Sequence, residues 1–347
     1  MRDRPIGLSF FCYLYPVLLS NIIENKYNIM KTKVSLGIDI GGTNIAYGLI
    51  DKEGNCILND SRPIASYNTP QEFIANLHQE IDQCLATHNV ELIGVGAGAP
   101  NGNYFNGTIE NAANLNWKGT IPFVELLEKE FHLPAFITND AKAAALGEMI
   151  YGGAKGMKNF AVITLGTGLG SGIVINGELV YGHDGLAGEL GHTIVKPNGR
   201  YCNCGRRGCL ETFVSATGIK RTACELLAVE NNPSKLRDIP YNEITAKKVY
   251  DAAQTGDPIA LDAFRITGEV LGAALANLVA ITSPEAIFLQ GGVANAGEWL
   301  FKTTHEQMEA NMLYLFKQKV KILRSSLPSN AAIYGAAALV WNELKEA

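Results

Sequence analysis

The chain has 347 residues, enough for two domains, and its 47% hydrophobic and 18% charged content is ordinary for a folded, soluble enzyme. A formal net charge of −5 supplies no global basic field, which argues against a nucleic-acid partner. Seven cysteines, an odd number and partly scattered, suit reduced, cytoplasmic usage rather than a disulfide framework.

The first 30 residues differ from the rest. Ile6 to Ile23 is apolar and aromatic behind Arg2 and Arg4, and reads either as a weak signal sequence or anchor or as an upstream extension. It is short for a span, contains Pro16 and lacks a small-residue cleavage site. The expectation is an extension outside the fold, with Met30 just before the first strand and no membrane association.

Val34 to Ile40 (VSLGIDI) and Ile45 to Ile50 (IAYGLI) read as strands joined by Gly41-Gly42-Thr43-Asn44, a hairpin. The turn is either a plain glycine hairpin or one whose N–H groups approach a phosphate, with the Thr43 hydroxyl as a further donor. Asp39, at the strand's end, is a candidate to hold Mg²⁺ through water. A third strand, Cys56 to Ile64, precedes Thr69-Pro-Gln-Glu72, a capping box with proline at the first helical position. A helix to Thr87 follows, with Phe73, Leu77, Ile81 and Leu85 on its apolar face. Leu92 to Gly98 is a buried strand. The polar loop Ile109 to Trp117 suits sugar hydroxyls and a sugar face, although loops are commonly rich in Asn. Thr120 or Pro122 starts a helix to Phe131.

Asn139-Asp140 sits where a strand, Ala135 to Thr138, meets the helix AKAAALGEM. Local sequence favours an N-cap for Asp140; the alternative is a general base at the carboxyl edge of a sheet. Phe160 to Leu165 is a strand, followed by GTGLGSG (166–172) and a strand from Ile173 to Ile175. A Rossmann turn leads into a helix, whereas this one returns as a strand, and no G-x-x-x-x-G-K-[ST] occurs. What remains is a second strand–glycine turn–strand, partner to the one at 41–44. Two such halves imply a cleft that grips phosphates from both sides.

Gly188 to Glu211 (GELGHTIVKPNGRYCNCGRRGCLE) is the most specific stretch. His192, Cys202, Cys204 and Cys209 form H-x9-C-x-C-x4-C, which suits a closed tetrahedral Zn²⁺ site, with buried or disulfide-bonded cysteines as the alternative. Four protein ligands leave no open position for water, so the site is structural. Glu189 and Glu211 flank it and are either fixed acceptors for polyol hydroxyls or solvated charges; Glu211 also opens a plausible helix, ETFVSATGIKRTACELLA. Helical spacing then covers 215–229, 245–254 and 258–281. Ala286 to Gln290 is a strand ending at Gly291-Gly292-Val293, a helix starts at Glu298, Val320 to Leu323 is a strand, and Ala331 to Leu344 is a closing helix. The long apolar helix at 258–281 makes a homodimer the expectation.

DIGGTN (39–44), NDA (139–141), LGTGLGSG (165–172), GELGH (188–192), CNCGRRGCLE (202–211) and GGV (291–293), in this order, resemble the sugar kinases of the repressor–ORF–kinase (ROK) family over about residues 34–345. NAANLNW (111–117) is most similar to the glucokinases among them. The resemblance implies an α/β, two-lobed, actin-like ATPase (ribonuclease H-like) fold: a small lobe at 31–140 with the closing helix 329–345, and a large lobe at 141–328 containing the zinc loop. It implies that Asp140 is the base toward the 6-hydroxyl of a hexose, which overrides the local preference for a mere cap. Asn114, Asn139, Glu189, His192 and Glu211 hold the other hydroxyls, His192 with one ring nitrogen on zinc and the other toward the sugar. Gly41, Gly42, Thr43 and Asn44 with Gly166, Thr167 and Gly168 embrace the ATP phosphates, Gly291 and Gly292 border the adenosine, and Asp39 orients Mg²⁺. Glucose leads among the substrates; N-acetylmannosamine, N-acetylglucosamine, fructose, mannose and allose are alternatives. A sugar-responsive repressor of the same family would need a DNA-binding domain ahead of residue 34, where helix-turn-helix patterning is lacking.

Overall fold

The computed structural model describes residues 31–112, 115–328 and 331–344. The N-terminal stretch and Asn114, both subjects of expectations above, lie outside the described residues.

Two five-stranded sheets organise the chain. The first contains β1 (Thr32–Ile40), β2 (Asn44–Asp51), β3 (Cys56–Pro63), β4 (Val90–Ala99) and β8 (Ala135–Asn139), in the order β3-β2-β1-β4-β8. Between β4 and β8, the short strands β5 (Gly102–Asn103), β6 (Thr108–Glu110) and β7 (Thr120–Ile121) form a small sheet of their own. The second large sheet contains β9 (Phe160–Leu165), β10 (Leu169–Ile175), β11 (Glu178–Leu179), β12 (Ala286–Gln290) and β13 (Lys321–Arg324), in the order β11-β10-β9-β12-β13. Strand directions also repeat. β1, β2 and β3 are successively antiparallel and β4 and β8 run parallel to β1; β9, β10 and β11 are antiparallel and β12 and β13 run parallel to β9. This duplicated plan is the actin-like ATPase fold. It gives the glycine turns at β1–β2 and β9–β10 equivalent places in the two sheets.

The helices are α1 (Pro70–Thr87), α2 (Phe123–Phe131), α3 (Asp140–Ile150), α4 (Ala216–Val229), α5 (Ala246–Gln254), α6 (Pro258–Thr282), α7 (Glu298–Asn311) and α8 (Ala331–Leu344). α1 begins as its sequence dictates: Thr69 Oγ1 accepts the Glu72 N–H at 3.2 Å and Pro70 occupies the first turn. The reciprocal half of the capping box is displaced, because the Glu72 carboxylate accepts from Asn68 N–H, at 2.8 Å, rather than from Thr69. Phe73, Leu77 and Ile81 are buried under the first sheet with Leu36 and Ile38, while Leu85 is only partly covered. Full burial of each such side chain contributes about 1.5–3 kcal/mol.

The closing helix α8 lies directly on β1 and β4. A Cβ on Gly96 would sit 1.9 Å from the Ala336 carbonyl oxygen, and one on Gly37 2.1 Å from that of Ile333. The glycines of VSLGIDI and LIGVGAG are therefore the surface on which this helix rests. α3 packs against both α8 and β10, between the two sheets.

Several boundaries differ from the sequence reading. β10 starts at Leu169, not Ile173, so the glycine turn is only Gly166–Gly168. The reason is tertiary: a Cβ on Gly170 or Gly172 would meet the Cβ of Ala141 or Ala145 of α3 at 2.7 or 2.6 Å, so these glycines are packing positions within a strand. Glu211 does not open a helix. It lies in a one-turn 3-10 segment, Leu210–Thr212, and α4 starts after Ser215, whose hydroxyl accepts the Gly218 N–H. β4 spans Val90–Ala99, α2 starts at Phe123 behind β7, and β13 spans Lys321–Arg324.

Candidate active site

Parallel strands β1, β4 and β8 lie side by side, and their carboxyl ends deliver two carboxylates to one place. Asp39, second from the end of β1, pairs in register with Gly98 of β4, and Ala99 of β4 pairs with Asn139 of β8. Asp140 follows as the first residue of α3. Gly98 leaves room between them: a Cβ there would lie 3.7 Å from Asp140 Cα and 4.0 Å from Asp39 Oδ1. Burial, and then the charge of Asp140, push the Asp39 carboxyl up to about 7. Burial also raises Asp140, opposed by the Ala141 N–H and the Lys142 ammonium. Two carboxylates held this close at the carboxyl ends of parallel strands are what a divalent-ion site requires, so the residues fit Mg²⁺.

The N-cap of α3 is Asn139, not Asp140. Its side-chain oxygen accepts the Ala141 N–H at 2.9 Å, and Asp140 Oδ1 shares that donor at 2.8 Å. The cap thus leaves one Asp140 oxygen and the Asn139 amide nitrogen outside these two bonds.

Both carboxylates open onto a cleft of about 490 Å³. Gly41 and Gly42 line it from the first sheet, and Gly166, Thr167, Gly168 and Gly291 from the second. Asn139, Glu189 and Glu211 complete the set of expected residues there. Thr43 and Asn44 are exposed and do not line it; their carbonyls accept from Ile64 and Gly41 and shape the hairpin. The second turn is held from behind, since the Gly166 carbonyl accepts from Ala216 N–H and the Thr167 carbonyl from Thr217 Oγ1. An adjoining pocket of about 530 Å³ shares Gly166 and Thr167 and is walled by Ile219, Tyr250, Phe264 and Val293, with Gly292 at its edge.

His192, Cys202, Cys204 and Cys209 converge, all four ligand atoms lying within 4.8 Å of one another. Cys202 Sγ is 3.6 Å from His192 Nδ1, and Cys204 Sγ is 3.6 Å from Cys209 Sγ. A disulfide needs about 2.05 Å between sulfurs, so Cys204 and Cys209 are not bonded to each other, and all three cysteines are free thiols. A tetrahedral zinc site with Zn–S near 2.3 Å and Zn–N near 2.0–2.1 Å has edges of roughly 3.5–3.8 Å, and the residues fit that ion. Burial pushes the Cys202 thiol up to about 12. Burial also acts upward on Cys204, but the Arg206 N–H and further hydrogen bonds from Cys202, Arg206 and Cys209 outweigh it and hold that thiol at about 6.

Glu211 joins this loop to the second glycine turn. Its Oε2 accepts the Leu169 N–H at 3.1 Å and its Oε1 lies 3.6 Å from Cys202 Sγ. His192 and Glu211 also line a further cleft of about 520 Å³ with Asn101, Asn111 and Ala112.

Sequence reasoning missed several residues here. Lys142, buried at the start of α3, bonds the Gly185 carbonyl. Gln290 and Ser171 line the main cleft. The apolar pocket also draws on α4, α5, α6 and the 292–296 turn, and of its lining only the glycine-turn residues Gly166, Thr167 and Gly292 carried a local signal.

A ROK family model matches residues 35–343. The chain is 37% identical over 319 residues to the glucokinase of Halalkalibacterium halodurans, covering 90% of this chain and 96% of that one. It is 33% identical over 308 residues to the glucokinase of Thermotoga maritima, covering 88% and 96%. Among solved structures, a ROK family glucokinase from Streptomyces griseus, in complex with glucose and AMPPNP, superposes with a TM-score of 0.71 at 32% identity, over 88% of this chain and 98% of that one. With the duplicated sheets, the glycine turns and the cysteine–histidine loop in place, the chain belongs to the ROK family.

Proposed function

We propose that this protein is an ATP-dependent hexokinase that transfers the γ-phosphoryl group of ATP to the 6-hydroxyl of glucose. The observation that carries this reading is the placement of Asp140 beside Asp39 in a cleft bordered by both glycine turns and by Glu189 and Glu211. Glucose is the choice of the relatives' names and of the sugar in the Streptomyces griseus complex.

In this reading, Asp140 accepts the proton of the attacking hydroxyl. Its place at the start of α3 and its bond to the Ala141 N–H fix the direction of the carboxylate, and phosphoryl transfer depends mostly on such positioning and on charge stabilisation. Asn139, Glu189, Glu211 and His192, with Asn114, hold the remaining hydroxyls. His192 presents Nδ1 to the cysteine cluster, which reserves Nε2 for the sugar. Gly41, Gly42 and the Gly166–Gly168 turn cradle the phosphates, and the apolar pocket walled by Tyr250, Phe264 and Ile219 receives the adenine. Mg²⁺, held through Asp39, supplies charge neutralisation on the phosphates. Zn²⁺, held by His192, Cys202, Cys204 and Cys209, supplies rigidity to the loop that carries Glu211.

We further take the two sheets as two lobes that close on the substrates, divided near residue 140, with α8 completing the first. The reaction belongs in the cytoplasm, where ATP, Mg²⁺ and reduced thiols coexist. Among the described residues α6 alone is long and apolar enough to cross a membrane, but Leu271, Leu275 and Val279 on its buried face pack in the core. The same burial removes the argument for a homodimer from this helix; a dimer remains an expectation for sizing measurements.

The test is a panel of hexoses with ATP and Mg²⁺ in an assay coupled to NADH. The reading expects glucose to give the highest kcat/KM. Preferential turnover of N-acetylmannosamine or another hexose would keep the chemistry and replace the substrate, and no turnover of any sugar would overturn the kinase.

A further inference from the structure

Lys142 lies in the first turn of α3, two residues after Asp140, and is only 3% exposed. The helix is pressed onto β10 at this point: a Cβ on Gly172 would come within 3.2 Å of Lys142 Cα and 2.7 Å of the Ala141 carbonyl oxygen. The side chain leaves the helix toward the segment 182–188, where Nζ donates to the Gly185 carbonyl at 3.1 Å. Three carboxylates, Glu189, Asp140 and Asp184, face it and counter the downward pull of burial on its pKa. A buried ammonium is costly unless it is paired and hydrogen-bonded, and these groups account for its presence.

The segment it grips leads into Glu189. Asn103 of β5, itself buried, donates from Nδ2 to the Asp184 carbonyl at 3.1 Å. Ser171 of β10 donates from Oγ to the Gly188 carbonyl. Gly182, Gly185 and Gly188 all have positive φ, so the backbone path is a series of glycine turns with its carbonyls tied down at 184, 185 and 188. The strap is thus anchored to β5, which follows the first sheet, to β10 of the second, and to the helix between them. Glu189 is exposed in the cleft at its end.

We propose that Lys142 is a positioning residue for sugar binding: bonded to the Gly185 carbonyl and facing Glu189, it holds the 182–188 strap so that Glu189 meets the sugar. This rests on the hexokinase reading and on Glu189 as a sugar ligand. Nucleotide contacts come from other elements, so the effect falls on one substrate.

Lys142→Met keeps the length and apolar stem of the side chain and removes its donors and charge. Steady-state kinetics with glucose and ATP are expected to show the sugar KM raised about tenfold or more, the order of one lost charge-assisted hydrogen bond. The ATP KM is expected to stay within about threefold, the signature of a contact made to one substrate only. Lys142→Arg, which retains the charge and donors, recovers part of the loss. Asn103→Ala releases the strap from its other side and raises the sugar KM with Lys142 intact; it also decides the matter if the Met variant does not fold. A sugar KM unchanged in these variants, or sugar and ATP KM rising in parallel, overturns the proposal. Failure of the wild-type protein to phosphorylate any hexose would instead overturn the hexokinase reading, before any variant is compared.

Discussion

Glu211 accepts the main-chain N–H of Leu169 at 3.1 Å, so a carboxylate from the cysteine-rich loop is bonded to the strand that leaves the second glycine turn. The same carboxylate lies 3.6 Å from the Cys202 sulfur. The cysteine-rich loop and the second glycine turn therefore share one side chain.

Gly168 is the residue that lets this contact form. A Cβ there would sit 2.3 Å from Glu211 Oε2. Gly168→Ala is expected to displace the carboxylate and lower kcat/KM for both substrates by about tenfold or more, the loss expected from one misplaced charged hydrogen bond. Kinetics on the variant check this; unaltered constants for both substrates would contradict the shared role.

Loss of one zinc ligand is expected to cost both metal and order. Elemental analysis is expected to find one zinc per chain in the wild-type protein and none in Cys204→Ala. It should lower Tm by about 5 °C or more, a shift that takes only about 2 kcal/mol in a protein of this size. The glucose KM should rise, because Glu211 and His192 lose their frame. Equal melting and equal KM, with no zinc in either protein, would contradict the assignment.

The half-buried Asp39 gives a pH signature. Its carboxyl is raised in the folded protein to about 7 by burial and by Asp140, so the folded state binds more protons than the unfolded chain between the ordinary carboxylate range and that value. Stability from this group is present at low pH and is lost as pH rises through about 7. Without Mg²⁺ or nucleotide, the wild-type protein should lose stability relative to Asp39→Asn between about pH 5 and pH 8. Melting curves of the two proteins across that range test this, and parallel curves would contradict it.

The parts legible in the sequence are those set by neighbouring residues. The β1–β2 hairpin, the Thr69 cap and the H-x9-C-x-C-x4-C spacing each depend on a few positions, and each formed. The start of β10 was not legible, because Gly170 and Gly172 resemble a loop until α3 is laid across them. Asn139 and Asp140 are adjacent residues of equal capping ability, and only the backbone decides that the first caps while the second turns to the cleft. Lys142 stands in an alanine-rich helix with no local mark of function; its partner Gly185 lies 43 positions away. The apolar pocket is likewise assembled from five separate stretches of chain.

The central claim is that Asp140 takes the proton of the sugar hydroxyl. Asp140→Asn retains the shape and the contact with the Ala141 N–H, so the direct measurement is kcat of this variant beside calorimetric binding of glucose. The account predicts near-normal binding with kcat reduced by about 10²–10⁴-fold, the usual contribution of a positioned base. A variant that keeps more than about a tenth of wild-type kcat would contradict it.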